Sequence, residues 1–324
     1  MHRRVVALLI LASCDSSSAV GPQDDAGTVG DAVPDVAPDA RVCGQRGGAR
    51  GLTMRQVTAG GLARTYRVYL PPGSASEPMP LVIVHHGYTM SGQAMFDITG
   101  YAALADSEHI ALAFPDGQGG PNSFGAPWNV GTNVCPSTSG APPLATGDDF
   151  ALLDAIEADV DQDQCLDRAH MFATGFSMGG YFSHHIGCMR PDIRAVAPHS
   201  GGTHELSGCV NARRPIIMFH GTSDTLIAPG CQDPASAPVG STVPAATAWA
   251  AHNGCSTTTT SRMVAGGTCI HYEGCPADGQ VELCTFSGMA HCWAGGAAGA
   301  GVFSCPAYAA ATQLEWAFFK TYAW

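Results

Sequence analysis

The sequence predicts an α/β fold, one mostly parallel, doubly wound sheet with helices on both faces and loops braced by disulfides. Three observations carry this. Short continuous apolar runs alternate along the chain with helix-like segments, as strands and crossover helices do in a parallel sheet. Those runs lack polar alternation, which marks strands buried on both faces. Residues 43–324, about 280 positions, suit one such domain rather than two.

The elements follow in order. A hairpin comes first, Leu52–Thr58 and Arg64–Leu70, turning at Gly60-Gly61 and supplying an antiparallel edge. Strands are expected at Leu81–His85, Ile110–Phe114, His170–Thr174, Arg194–Pro198, Pro215–His220 and Val281–Phe286. Helices are expected at Ser91–Asp106, Asp148–Val160, Met178–Cys188, Ala245–His252 and Ala307–Tyr322.

Gly175-Phe176-Ser177-Met178-Gly179 joins one of these strands to the helix after it. A strand, a sharp turn on a serine and a helix make a nucleophile elbow, and the strained turn demands small neighbours. Asp224 follows the apolar run Pro215–His220, and His291 follows Val281–Phe286, so all three lie just past strand ends, in the order Ser, Asp, His. A serine hydroxyl is a weak nucleophile until an imidazole takes its proton. His291 is the candidate base, and Asp224 the group that holds its tautomer and stabilises the imidazolium. Candidate oxyanion donors are the backbone N–H of Met178, directly after the serine, and that of Tyr88 in His86-Gly87-Tyr88-Thr89, with Thr89 as the alternative.

Val84–Thr89, Phe172–Gly180, His220–Asp224 and His291–Gly296 together resemble the secreted esterase family that includes poly(3-hydroxybutyrate) depolymerases, feruloyl esterases and acetylxylan esterases, whose fold is the α/β-hydrolase. The resemblance covers most of the chain from about Arg55 to Trp293. It implies Ser177, Asp224 and His291 as a catalytic triad, the Tyr88 amide as an oxyanion donor and no cofactor. The chain departs from the family at Ala290 and Ala294, where Gly and Pro are common, and at Tyr88, where depolymerases usually have Cys.

Plainer roles exist for each group. Ser177 could cap the following helix, Asp224 could be a turn residue, and most of the 13 histidines must be structural. Asp233 is the alternative acid, though no strand precedes it. Asp148 and Asp149 open a helix, where capping and the dipole account for them. His184 and His185 are expected to pack or to be solvated, and His85 and His86 to shape the oxyanion loop. In the long Pro/Gly-rich insertion 117–147, Trp128 is expected either to wall the substrate pocket or to anchor the loop. Trp293 is a second pocket candidate, expected to support His291.

At the N-terminus, Arg3 and Arg4 precede an apolar run from Val5 to Leu11, too short to span a bilayer. Leu11-Ala12-Ser13-Cys14 resembles a bacterial lipobox, which implies a signal peptide over 1–13 and a lipid on Cys14; an ordinary signal peptide is the alternative. Residues 14–42 carry six Asp and one Arg with no aromatic residue, the composition of a disordered tether. With a net charge of −12 and Lys320 the only lysine, nucleic acid is not an expected partner. Of 13 cysteines, setting Cys14 aside leaves twelve, compatible with six disulfides and an oxidising compartment. Cys165 and Cys188 are expected at the bottom of the sheet within bridging range, and a disulfide through Cys292 would brace the His291 loop. No metal site is expected, since paired Cys-x-x-Cys spacings are missing.

The chain thus reads as an exported, lipid-anchored serine carboxylesterase for feruloyl or acetyl esters of plant polysaccharides. The alternatives are a poly(3-hydroxybutyrate) depolymerase and an inactive surface-binding relative.

Overall fold

The computed structural model describes residues 42–118, 127–131, 145, 147–203, 206–227 and 243–322. Cys14, Cys135, Cys231 and Asp233 lie outside them, as do the expected signal peptide and tether. Among the described residues, no helix is long and apolar enough to cross a membrane.

A ten-stranded sheet runs in the order β1-β2-β4-β3-β5-β6-β7-β10-β9-β8. Its middle is parallel: β4 (Ala111–Pro115), β3 (Met79–His85), β5 (Leu166–Phe176), β6 (Ala195–His199), β7 (Ile216–Gly221) and β10 (Val281–Phe286). The hairpin of β1 (Gly51–Ala59) and β2 (Leu62–Leu70) adds one antiparallel edge. A second antiparallel pair, β8 (Thr259–Val264) and β9 (Gly267–Tyr272), extends the opposite edge beyond β10. The polar run Thr257–Ser261 hides β8 from a hydrophobicity reading. As an edge strand exposed along most of its length, it has no apolar pattern to display.

Side chains along the central strands alternate between two cores. Leu81, Ile83, Ile216 and Met218 pack against α3 (Asp149–Asp163), α4 (Met178–Met189) and α5 (Val243–Asn253). Val82, Val84, Ile217 and Phe219 face α1 (Gly92–Thr99), α2 (Tyr101–Glu108) and α6 (Ala311–Phe319). The helix expected over Ser91–Asp106 is two helices. Gly100 adopts φ 67° between them, a left-handed conformation that ends the first. Ser91 caps α1 and Asp148 caps α3, each accepting a backbone N–H three residues on. Asp149 does more than the helix dipole requires: buried, it pairs with Arg64 at 2.7 Å and accepts the Asn129 N–H at 2.6 Å.

Among the described residues, the disulfides are Cys43–Cys165, Cys188–Cys209, Cys255–Cys275, Cys269–Cys284 and Cys292–Cys305. The expected proximity of Cys165 and Cys188 therefore does not become a bond. β5 begins at Leu166 rather than His170, which carries Cys165 farther down. There the N-terminal segment, hydrogen-bonded from Gly44 and Arg46 to the end of α3, brings Cys43 to it. Cys188 is taken by Cys209 in the loop after β6.

One buried acid lies close under the elbow strand. Glu315 of α6 is fully buried and accepts from Tyr101 Oη at 2.6 Å and Thr174 Oγ1 at 3.1 Å. Burial pushes its carboxyl up to about 8, against the pull of these two donors. The folded state therefore keeps a proton that the unfolded chain releases near 4.5, and stability should fall as pH rises between those values. Glu315→Gln is expected to flatten this dependence. Melting temperatures at pH 5 and pH 9 check it: the gap in the wild type should shrink clearly in the variant.

Candidate active site

Ser177 stands at the turn between β5 and α4 with φ 56° and ψ −117°, strained for a residue with a side chain. The two flanking glycines are dictated by contact. A Cβ at Gly179 would lie 2.2 Å from His85 O, and one at Gly175 would lie 2.4 Å from Gly179 O. The Ser177 N–H donates to His199 O at 2.9 Å, tying the turn to β6. Its side chain makes no capping bond to α4, which removes the plain helix-cap reading.

Asp224 and His291 come together on neighbouring loops because β7 and β10 are parallel partners. A Cβ on Gly221 would lie 2.1 Å from Met289 O, so only glycine lets the loops approach this closely. Ser223 N–H donates to Met289 O at 3.0 Å, and Gly288 N–H to Thr222 Oγ1 at 2.8 Å. His291 Nδ1 is 2.7 Å from Asp224 Oδ2, the geometry in which Nδ1–H donates to the carboxylate. The other oxygen, Oδ1, accepts the N–H groups of Leu226 and Ile227 at 2.9 and 3.0 Å. Burial pushes the Asp224 carboxyl up, but donors from His220 and His291 outweigh it and hold it well below the usual carboxylate range.

Ser177 and His291 share a wall rather than a hydrogen bond in this structure. The ring of Phe176, the residue before the serine, lies 4.7 Å from the His291 ring, and Phe303 packs edge-on to the same imidazole at 6.3 Å.

The loop after β3 approaches the serine from the other side. A Cβ at Gly87 would stand 3.1 Å from Ser177 Cβ. Gly87–Met90 is a tight turn closed by Met90 N–H to Gly87 O at 3.0 Å, with Thr89 at φ 66°. The paired histidines form its frame. His85 Nδ1 donates to Thr174 O at 2.9 Å; His86 Nδ1 donates to Gly87 O and its Nε2 accepts the Gly117 N–H, both at 2.8 Å. Burial pushes the two imidazoles down to about 3 and about 4, so both are neutral and serve as supports. Met178 opens α4, where a backbone N–H has no intrahelical acceptor.

Both tryptophans offered as pocket candidates are buried side chains. Trp128 is fully buried, donates from Nε1 to His86 O at 2.8 Å and stacks on Phe182, so it anchors its loop. Trp293 is also fully buried, stacked 4.7 Å from the His199 ring with Nε1 directed to Thr312. It supports the site through His199, which the sequence reading passed over. His199 accepts the Ser177 N–H on its carbonyl and the Ala294 N–H on its ring Nε2 at 3.0 Å. Its position at the end of a predicted strand beside the elbow was the available signal. His184 accepts from Trp249 Nε1 and His185 stacks on Phe150, the packing alternative of the two expected. Among the described residues, the one cluster with ligand-like spacing is Cys269, Glu282 and Cys284, and its two cysteines are bonded to each other.

Comparison with known proteins agrees with this architecture. Residues 59–263 match the Esterase family, described as "Putative esterase", a stretch holding Ser177 and Asp224 but ending before His291. Feruloyl esterase C of Emericella nidulans is 31% identical over 213 residues, covering 63% of this chain and 67% of that protein. Feruloyl esterase B of Piromyces equi is 30% identical over 238 residues, 69% of this chain and 42% of that protein. The match spans only 38% of the length of an Aspergillus oryzae relative described as "Probable feruloyl esterase C", at 40% identity. The solved acetyl xylan esterase from Aspergillus awamori covers 74% of this chain and 94% of its own at TM-score 0.52 and 15% identity, a likeness of fold. With the family match running over more than half of its length, the chain belongs to this esterase family and has the α/β-hydrolase fold.

Proposed function

We propose that the protein is an exported serine carboxylesterase in which Ser177 is the nucleophile, His291 the general base and Asp224 its partner. The observation that carries this is the 2.7 Å contact of His291 Nδ1 with the buried Asp224 carboxylate, on a loop beside the Ser177 turn. With Nδ1–H committed to Asp224, the unprotonated Nε2 is the nitrogen that can take the serine proton. Catalytic hydrogen bonds are often unformed without substrate and tighten in its complex. Ser177 Oγ then attacks the ester carbonyl, and the oxyanion is received by the N–H groups of Met178 and Tyr88. Imidazolium returns the proton to the departing alcohol, and water repeats the sequence on the acyl-enzyme. These residues perform both half-reactions without a cofactor.

For substrate we infer feruloyl or acetyl esters of plant polysaccharides, or fragments of them. Kinship with feruloyl esterases supports the acyl class. Five disulfides among the described residues support an oxidising compartment, and Cys14 is the proposed lipid attachment that would keep the domain at the membrane.

A fluorophosphonate probe is expected to label the wild type and not Ser177→Ala; equal labelling would remove Ser177 as nucleophile. Ferulate and acetate release should exceed 3-hydroxybutyrate release, and the reverse order would favour a polyester substrate. Asp224→Asn should lower kcat by about 10⁴ with the fold intact, because the imidazole loses its tautomer control. Circular dichroism alongside steady-state kinetics checks that outcome.

A further inference from the structure

Asp224 holds a second imidazole. His220, on β7 four residues before the acid, has Nε2 3.2 Å from Asp224 Oδ2 and 3.2 Å from Ile227 O. Both neighbours only accept, so Nε2 carries the proton and donates to them. The side chain is 4% exposed, and the strand beneath it is paired on one side with β6 and on the other with β10, where His220 stands opposite Thr285. The remaining donors to Asp224 differ in kind. Leu226 and Ile227 belong to the same loop as the acid and shape only that loop, while His291 is the group that must move a proton. His220 is the donor that ties the carboxylate to the sheet.

Resting on the reading of Ser177, His291 and Asp224 as a triad, we propose that His220 is a positioning residue: an Nε2–H donor that aims Asp224 Oδ2 at His291 Nδ1 and takes a share of its negative charge. The two roles have separate signatures. Aiming fixes the imidazole and sets kcat. Sharing the charge weakens the carboxylate's hold on the imidazolium that forms in the reaction, so its loss is read in the acid limb of kcat/KM. The groups facing this centre are Asp224 and His291 on the two loops, His199 on β6, and Tyr181 and His184 on α4. Of these, Asp224 is the carboxylate, and its donors hold it ionised. His199 sits with its own imidazole held neutral by burial.

The test compares His220→Leu with His220→Gln in the full chain, on an acetyl ester. Glutamine returns an N–H donor at nearly the same reach, and leucine fills similar space without one. His220→Leu is expected to lose about tenfold in kcat with KM within about twofold, the scale of one lost hydrogen bond to a charged group. Its acid limb of kcat/KM should move up by about half a pH unit, while His220→Gln recovers most of both. If His220→Leu does not fold, His220→Asn, whose amide stops short of Oδ2, takes its place with the same expected losses. Equal impairment of the Gln and donor-lacking variants, or lower kcat with an unmoved acid limb, would reduce His220 to packing and overturn the proposal. Fluorophosphonate labelling separates the two readings. If the wild type is not labelled at Ser177, the triad falls and His220 with it; if labelling is intact while the variants match, only the role of His220 is lost.

Discussion

The arrangement around Ser177 depends on one buried carboxylate. Asp224 accepts four N–H donors, two on each oxygen: His291 Nδ1 and His220 Nε2 on Oδ2, and the amides of Leu226 and Ile227 on Oδ1. A buried charge is tolerated only when its lone pairs are met in this way. Each donor therefore serves the fold as well as the site: removing any one leaves an ionised oxygen short of a partner in a dry setting. The same four bonds join β7, its following loop and the loop after β10 into one unit. This works because neighbouring parallel strands deliver their loops to the same edge of the sheet.

His199 makes the corresponding connection for the elbow. Its carbonyl takes the Ser177 N–H and its ring nitrogen takes the Ala294 N–H, three residues after His291. The imidazole lies between Phe219 and Trp293, nearly parallel to both, with burial holding it well below its usual range. A neutral, sandwiched histidine can be a fixed acceptor, which a solvated one cannot. The disulfide Cys292–Cys305 then closes the chain segment that returns Phe303 to the side of His291. Ser177 and the His291 loop are thus referenced to the same strand, although no direct bond joins the two side chains here.

The surroundings follow from this economy of support. Both tryptophans near the site are spent inside, one beneath the His86 loop and one on His199. The aromatic surface against the imidazole is left to Phe176 and Phe303, and Tyr88, 39% exposed, stands on the loop after β3.

Much of this was legible in the chain itself. Runs such as Leu81–His85 and Pro215–His220 announce buried strands because both of their faces need apolar cover. The Gly175–Gly179 signature announces an elbow because no larger residue fits against His85 O. The meeting of Asp224 and His291 was legible because both follow strands, and loops past neighbouring parallel strand ends share one edge of the sheet. What remained hidden depends on distance in space. The partner of Cys165, the path of the polar edge strand β8, the burial of Trp128, and the shared service of His199 and His220 are contacts between segments far apart in sequence. Residue type and periodicity report the local surface each segment must hide; which particular atoms meet there is decided only when the sheet closes its order and register.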